Sequence, residues 1–186
     1  MDIIDYSKLV CKEIEETVSC ISKTETQSFY NVLLSKRNQN IFVYGAGRCG
    51  YVLRAFCMRL MHLGYNTYFV PDTNTPAVQK GDLFIVADGA GFLTTVSEIT
   101  RLAKKNGADI CALTIIPDST IGLLGDIVIK IPGRTTAHGG IGESIQPGGA
   151  KFEQSLFIFL DCIIAALAEQ LGFEKDSSFS RHNNLE

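Results

Sequence analysis

Basic residues are in short supply in this sequence: 17 lysines and arginines are outnumbered by 20 aspartates and glutamates, for a formal net charge of -3. Nucleic-acid binding draws on a surplus of positive charge that displaces phosphate counterions, so this balance gives no electrostatic reason for such a partner. Long apolar runs are missing too. The greasiest stretch, Leu156 to Ala168, is interrupted by Asp161 and falls short of the roughly 20 residues that a membrane span needs. The opening MDIIDYSK has neither the basic region nor the apolar segment of a secretory leader. Cys11, Cys20, Cys49, Cys57, Cys111 and Cys162 form no close pairs, which argues against a metal knuckle or a disulfide framework and for thiols in a reducing cytosol. A soluble cytoplasmic protein, with no membrane or nucleic-acid partner, is the expectation.

What is present is enough for one α/β core: 186 residues, 46% hydrophobic. Residues 3 to 21 place Ile3, Tyr6, Val10, Ile14 and Val18 at helical spacing, with Glu13, Glu15 and Glu16 away from that stripe. A second helix is expected over 26 to 35. These form an N-terminal helical arm, 1 to 38. From there to 172, compact apolar runs alternate with helical ones. Strands are expected at 41–44, 66–70, 82–87, 109–115 and 126–131, and helices at 50–63, 93–106 and 151–172. Strands joined by helical crossovers give a parallel sheet covered on both faces, with the strand-to-helix loops along one carboxyl edge. Residues 132 to 150, PGRTTAHGGIGESIQPGGA, make a long glycine-rich loop of the kind that serves as a lid or binding loop. His138 within it reads as solvent-facing. The polar tail, 173 to 186, carries no assigned function.

Strand, Gly45-Ala46-Gly47-Arg48-Cys49-Gly50, helix is an order that aims backbone N–H groups and a positive helix end at one point. An anion cradle, a dinucleotide site using Asp72 and a purely structural turn all remain open, whereas a Walker loop is excluded because no GKS or GKT follows. Arg54, Arg59 and His62 are the polar residues of the following helix. His62 reads either as a cap or packing residue or as an acid/base group, since imidazole titrates near neutrality. The histidines and acids show no recognisable metal spacing.

The blocks VYGAGRCGYVLRAFCMRLMHLGYNTYFV, TIIPDSTIGLLGDIVIKIPG and ESIQPGGAKFEQSLFIFLD, with GDLFIVADGAG between the first two, resemble the sugar isomerase (SIS) domain, and more closely the 6-phospho-3-hexuloisomerase family. The resemblance implies a three-layer α/β sandwich around a five-stranded parallel sheet, flavodoxin-like, in one SIS domain spanning 1 to 186. It implies interconversion of D-arabino-3-hexulose 6-phosphate and D-fructose 6-phosphate without metal or organic cofactor, in a homotetramer built as a dimer of dimers with active sites near subunit boundaries. Glu153 and His62 are its expected base and acid, and Gly45, Gly47, Arg48, Cys49, Asp88, Gly89, Gly91, Ser119, Thr120 and Gln146 its expected substrate contacts. Ser119 also reads as a helix cap, and Glu153 as a first-turn acid.

One segment departs from the family. Where the family usually reads GSGSGET, residues 87 to 93 read ADGAGFL, so Asp88 and Ala90 replace two serines that wrap phosphate, and Cys49 replaces a serine of the first loop. Each lost hydroxyl removes about 1.5 to 3 kcal/mol of charge-assisted hydrogen bonding. Asp88 adds a carboxylate where a dianion is expected, which is repulsive unless it turns away, accepts backbone N–H groups or is neutralised by a base. An active hexuloisomerase, a protein that isomerises or binds another sugar, and an inactive SIS scaffold are therefore the three open readings.

Overall fold

The computed structural model describes residues 2–137, 141–173, 181, 182, 184 and 185; His138 and most of the polar tail lie outside the described residues. Strands β1 (Asn40–Gly45), β2 (Asn66–Phe69), β3 (Leu83–Ala87), β4 (Asp109–Thr114) and β5 (Ile127–Lys130) form one parallel sheet in the order β2-β1-β3-β4-β5. The central strands are apolar on both faces because both faces are covered. Phe42, Val43, Ile85, Val86, Cys111, Ala112 and Leu113 are fully buried, and each large aliphatic or aromatic side chain among them contributes about 1.5 to 3 kcal/mol.

The helices are α1 (Ile3–Ser19), α2 (Lys23–Ser35), α3 (Gly47–His62), α4 (Thr94–Lys105), α5 (Thr120–Leu124) and α6 (Ala150–Gln170). α2, α3 and α6 lie on one side of the sheet and α4 and α5 on the other, which gives the three-layer sandwich. α1 packs on α6 rather than on the sheet. Helix α2 begins earlier than its apolar pattern indicates, because the Ser22 hydroxyl accepts the Glu25 N–H at 3.3 Å and caps it. Likewise α3 starts at Gly47, not at Gly50, so Arg48 and Cys49 belong to its first turn.

Carboxylates divide between the two ends of the sheet. At the amino edge they are structural: buried Asp82 accepts the Asn40 and Gln79 N–H groups at 3.1 and 2.7 Å, and Asp126 accepts that of Ile110 at 2.8 Å. At the carboxyl edge, the ends of β1 and β3 lead into the glycine loops that carry Arg48 and Asp88. No helix among the described residues is long and apolar enough to cross a membrane.

Candidate active site

A cavity of about 290 Å³ opens at the carboxyl edge between α3, the loop after β3 and the first turn of α6. It is lined by Gly47, Arg48, Cys49, Asp88, Gly89 and Glu153 from the expected site, joined by Arg134, Thr135, Thr136 and the Gly148–Gly149 turn. A larger groove of about 590 Å³ between α1, α2 and α6 is lined mainly by apolar groups such as Val18, Ile21, Tyr30 and Phe159. Its lining holds no carboxylate or imidazole.

Glu153 is the carboxylate that α6 contributes to this cavity. It sits in the first turn of α6, its side chain 17% exposed, and its Oε2 is 2.5 Å from Arg48 Nε. Its Oε1 has no hydrogen-bond partner among the described residues, so one oxygen is anchored while the other can take a proton.

Asp88 is 4% exposed, and its Oδ2 accepts the Leu93 N–H at 3.0 Å. The carboxylate closes its own loop by accepting a backbone N–H, one of the three ways the sequence left it to coexist with an anion site. Cys49 faces the same loop. Burial pushes its thiol up to about 12, the Glu153 and Asp88 charges add to that rise, and a hydrogen bond from the Gly89 backbone opposes it. Two carboxylates thus share the cavity.

The remaining expected residues do not line this cavity. Gly45 ends β1, and its partner Gly50 exists for close approach, since a Cβ on Gly50 would collide with the Gly45 carbonyl oxygen. Gly91, at φ +75°, packs against Ser119 with no space for a side chain. Ser119 is fully buried and caps α5 by accepting the Gly122 N–H at 3.4 Å, and Thr120 opens that helix. Arg54 pairs with Asp72 through two hydrogen bonds of 2.9 and 2.8 Å, so the acid that a dinucleotide reading needs is already engaged.

His62 closes α3 at the end away from the cavity, about 21 Å along the axis from Arg48 at about 1.5 Å per residue. It is buried, and its ring lies tilted against that of His182 with centroids 5.2 Å apart. Burial first, then His182 and Arg59, hold its imidazole below the ordinary value, hence neutral at pH 7. One chain therefore does not bring His62 and Glu153 together.

Gln146 is buried in a contact that sequence reading missed. Glu13 of α1 reaches across to the long loop, where its carboxylate accepts from Ser144 Oγ at 2.9 Å, Ile145 N–H at 3.0 Å and Gln146 Nε2 at 3.2 Å. Three residues after Gln146 that loop delivers Gly149 to α6. Nothing local in EIEE distinguishes Glu13 from its neighbours, because its partners lie more than 130 positions away. Arg134, Thr135 and Thr136 were legible only as part of a binding loop. Among the described residues, no group of three or more His, Cys, Asp or Glu could hold a metal ion.

Comparison with known proteins matches the SIS domain profile to residues 33–150. The chain is 35% identical over 187 aligned residues to the 3-hexulose-6-phosphate isomerase of Bacillus subtilis, covering 100% of both. It is 36% identical to the enzyme of the same name from Mycobacterium gastri, covering 100% of this chain and 92% of that one. A crystal structure from Methanococcus jannaschii, described as inferring a molecular function of 3-hexulose-6-phosphate isomerase, superposes with a TM-score of 0.82 at 30% identity, covering 98% and 99% of the two chains.

Proposed function

The chain belongs to the SIS domain family, and on that premise we propose that it is a sugar-phosphate isomerase interconverting D-arabino-3-hexulose 6-phosphate and D-fructose 6-phosphate. The observation that carries this reading is Glu153, held at one oxygen by Arg48 and unclaimed at the other, facing a cavity at the carboxyl edge. Moving a carbonyl between C2 and C3 needs one base that serves both carbons. Starting from the 2-ketose, Glu153 takes the C3 proton as the electron pair forms the C2–C3 double bond and O2 gains a proton. Return of the proton to C2, with loss of the O3 proton, leaves the 3-ketose.

The oxygen protons need a carrier, and a neutral imidazole serves both directions. We assign that role to His62 of a neighbouring subunit, because its own chain keeps it far from Glu153. Apolar side chains left open beside the Arg48–Glu153 pair, Tyr51 at 76% and Phe157 at 40% exposure, support a subunit boundary there. So do Ile3 and Tyr6 of α1, both exposed. A homotetramer is the assembly this reading adopts.

Asp88 favours a second reading, a sugar without phosphate at that position. A coupled assay for fructose 6-phosphate formation from the 3-hexulose phosphate tests the first. Turnover that disappears in Glu153→Gln supports it, and turnover of a neutral sugar alone supports the second.

A further inference from the structure

We propose that the anionic group of the substrate is held by the segment Arg134–Thr136, and that the loop 88–93 does not hold it because Asp88 already occupies that loop as a built-in anion. The inference rests on the phosphosugar reading above and names the subsite within it.

Two backbone donors of the loop are already committed. Leu93 N–H goes to the Asp88 carboxylate at 3.0 Å, and Asp88 N–H goes to the Leu113 carbonyl at 3.2 Å. Side-chain hydroxyls are absent there, since Asp88 and Ala90 stand where hydroxyls would be useful. A dianion entering this loop would meet a buried carboxylate and no side-chain hydroxyl.

The other lining segment offers the opposite. Arg134 is half-buried at the cavity, and its guanidinium has no ion pair or hydrogen bond among the described residues. It is the cavity's uncommitted cation, because Arg48 is engaged by Glu153. Thr135 Oγ1 accepts the Ala137 N–H at 3.2 Å, which leaves its own proton to donate, and Thr136 is exposed. The segment is also held in place. Thr135 and Ile141 exchange two backbone hydrogen bonds of 2.9 Å, and Gly133 packs so closely on Phe152 of α6 that a Cβ would sit 2.7 Å from it. A planar fork flanked by two hydroxyls is phosphate chemistry.

The test uses the full chain and its Arg134→Ala, Arg134→Gln and Asp88→Ser variants, with two readouts. The first is KM for the hexulose phosphate. The second is the thermal shift produced by fructose 6-phosphate and by inorganic phosphate, which needs no turnover. Both Arg134 variants are expected to raise KM by about tenfold or more, the loss of one charge-assisted hydrogen bond, and to abolish the shifts. Asp88→Ser is expected to lower the melting temperature without improving KM. The inference is overturned if the Arg134 variants keep wild-type KM and shifts, or if Asp88→Ser lowers KM about tenfold. Absence of turnover in the wild type would contradict the isomerase reading alone, because the shifts would still report where the anion sits.

Discussion

Arg48 Nε lies 2.5 Å from Glu153 Oε2, which ties the first turn of α3 to the first turn of α6 at the edge of the cavity. Arg48 is 61% exposed, so the pair contributes about 1 kcal/mol or less to stability. Its consequence is orientation. Arg48→Ala should leave the melting temperature nearly unchanged while kcat/KM drops by about 10- to 100-fold, as expected for a misaimed base. Glu153→Gln should fold normally and lose about 100- to 10,000-fold in kcat. Steady-state kinetics beside thermal melts separate the two effects.

Sharing of catalytic groups between subunits has a direct test. Glu153→Gln and His62→Gln proteins should each be inactive, yet subunits of the two kinds, exchanged within one oligomer, should recover about a quarter of wild-type activity through sites that combine an intact residue from each. If hybrids recover nothing while each variant retains its assembly by light scattering, His62 does not serve a neighbour's site.

Glu13 predicts a pH-dependent loop. Burial, the largest single influence, raises its carboxyl, but the Ile145 N–H, Ser144, Gln146 and Lys151 together hold it below the ordinary 4.5. A depressed folded value means that the clamp contributes fully above about pH 4.5 and is lost as pH falls through the folded value. Hydrogen exchange at the Ile145 amide should therefore be protected at pH 7 and speed up in acid beyond its intrinsic pH dependence. Glu13→Ala should remove that protection at every pH and raise KM, while leaving exchange in β1 and β3 unchanged.

Thiol reactivity reports the burial of the first glycine loop. Cys11, Cys20 and Cys162 are exposed and should alkylate readily at pH 8, whereas burial raises the Cys49 and Cys111 thiols and should keep them unlabelled until the chain unfolds.

The strands were legible because runs such as IFVY and LFIVA are branched and aromatic without interruption, which only a sheet buried on both faces accommodates. Helix starts were less so: Ser22 and the extended Ala46 set them, and both act ahead of the apolar pattern. In the site, Gly47, Arg48, Cys49, Asp88, Gly89 and Glu153 converge because parallel strands deliver successive loops to one edge. Glu13 and Arg134 were invisible as individuals. Their meaning comes from contacts across the chain, and neither sits in a pattern whose spacing carries chemistry.

The most direct measurement of the central claim follows proton exchange in fructose 6-phosphate incubated with the protein in deuterium oxide. A base acting between C2 and C3 should wash deuterium into C3 and leave both C1 protons in place, and Glu153→Gln should stop the exchange. Exchange at C1, or none at C3 with the wild-type protein, would contradict the account.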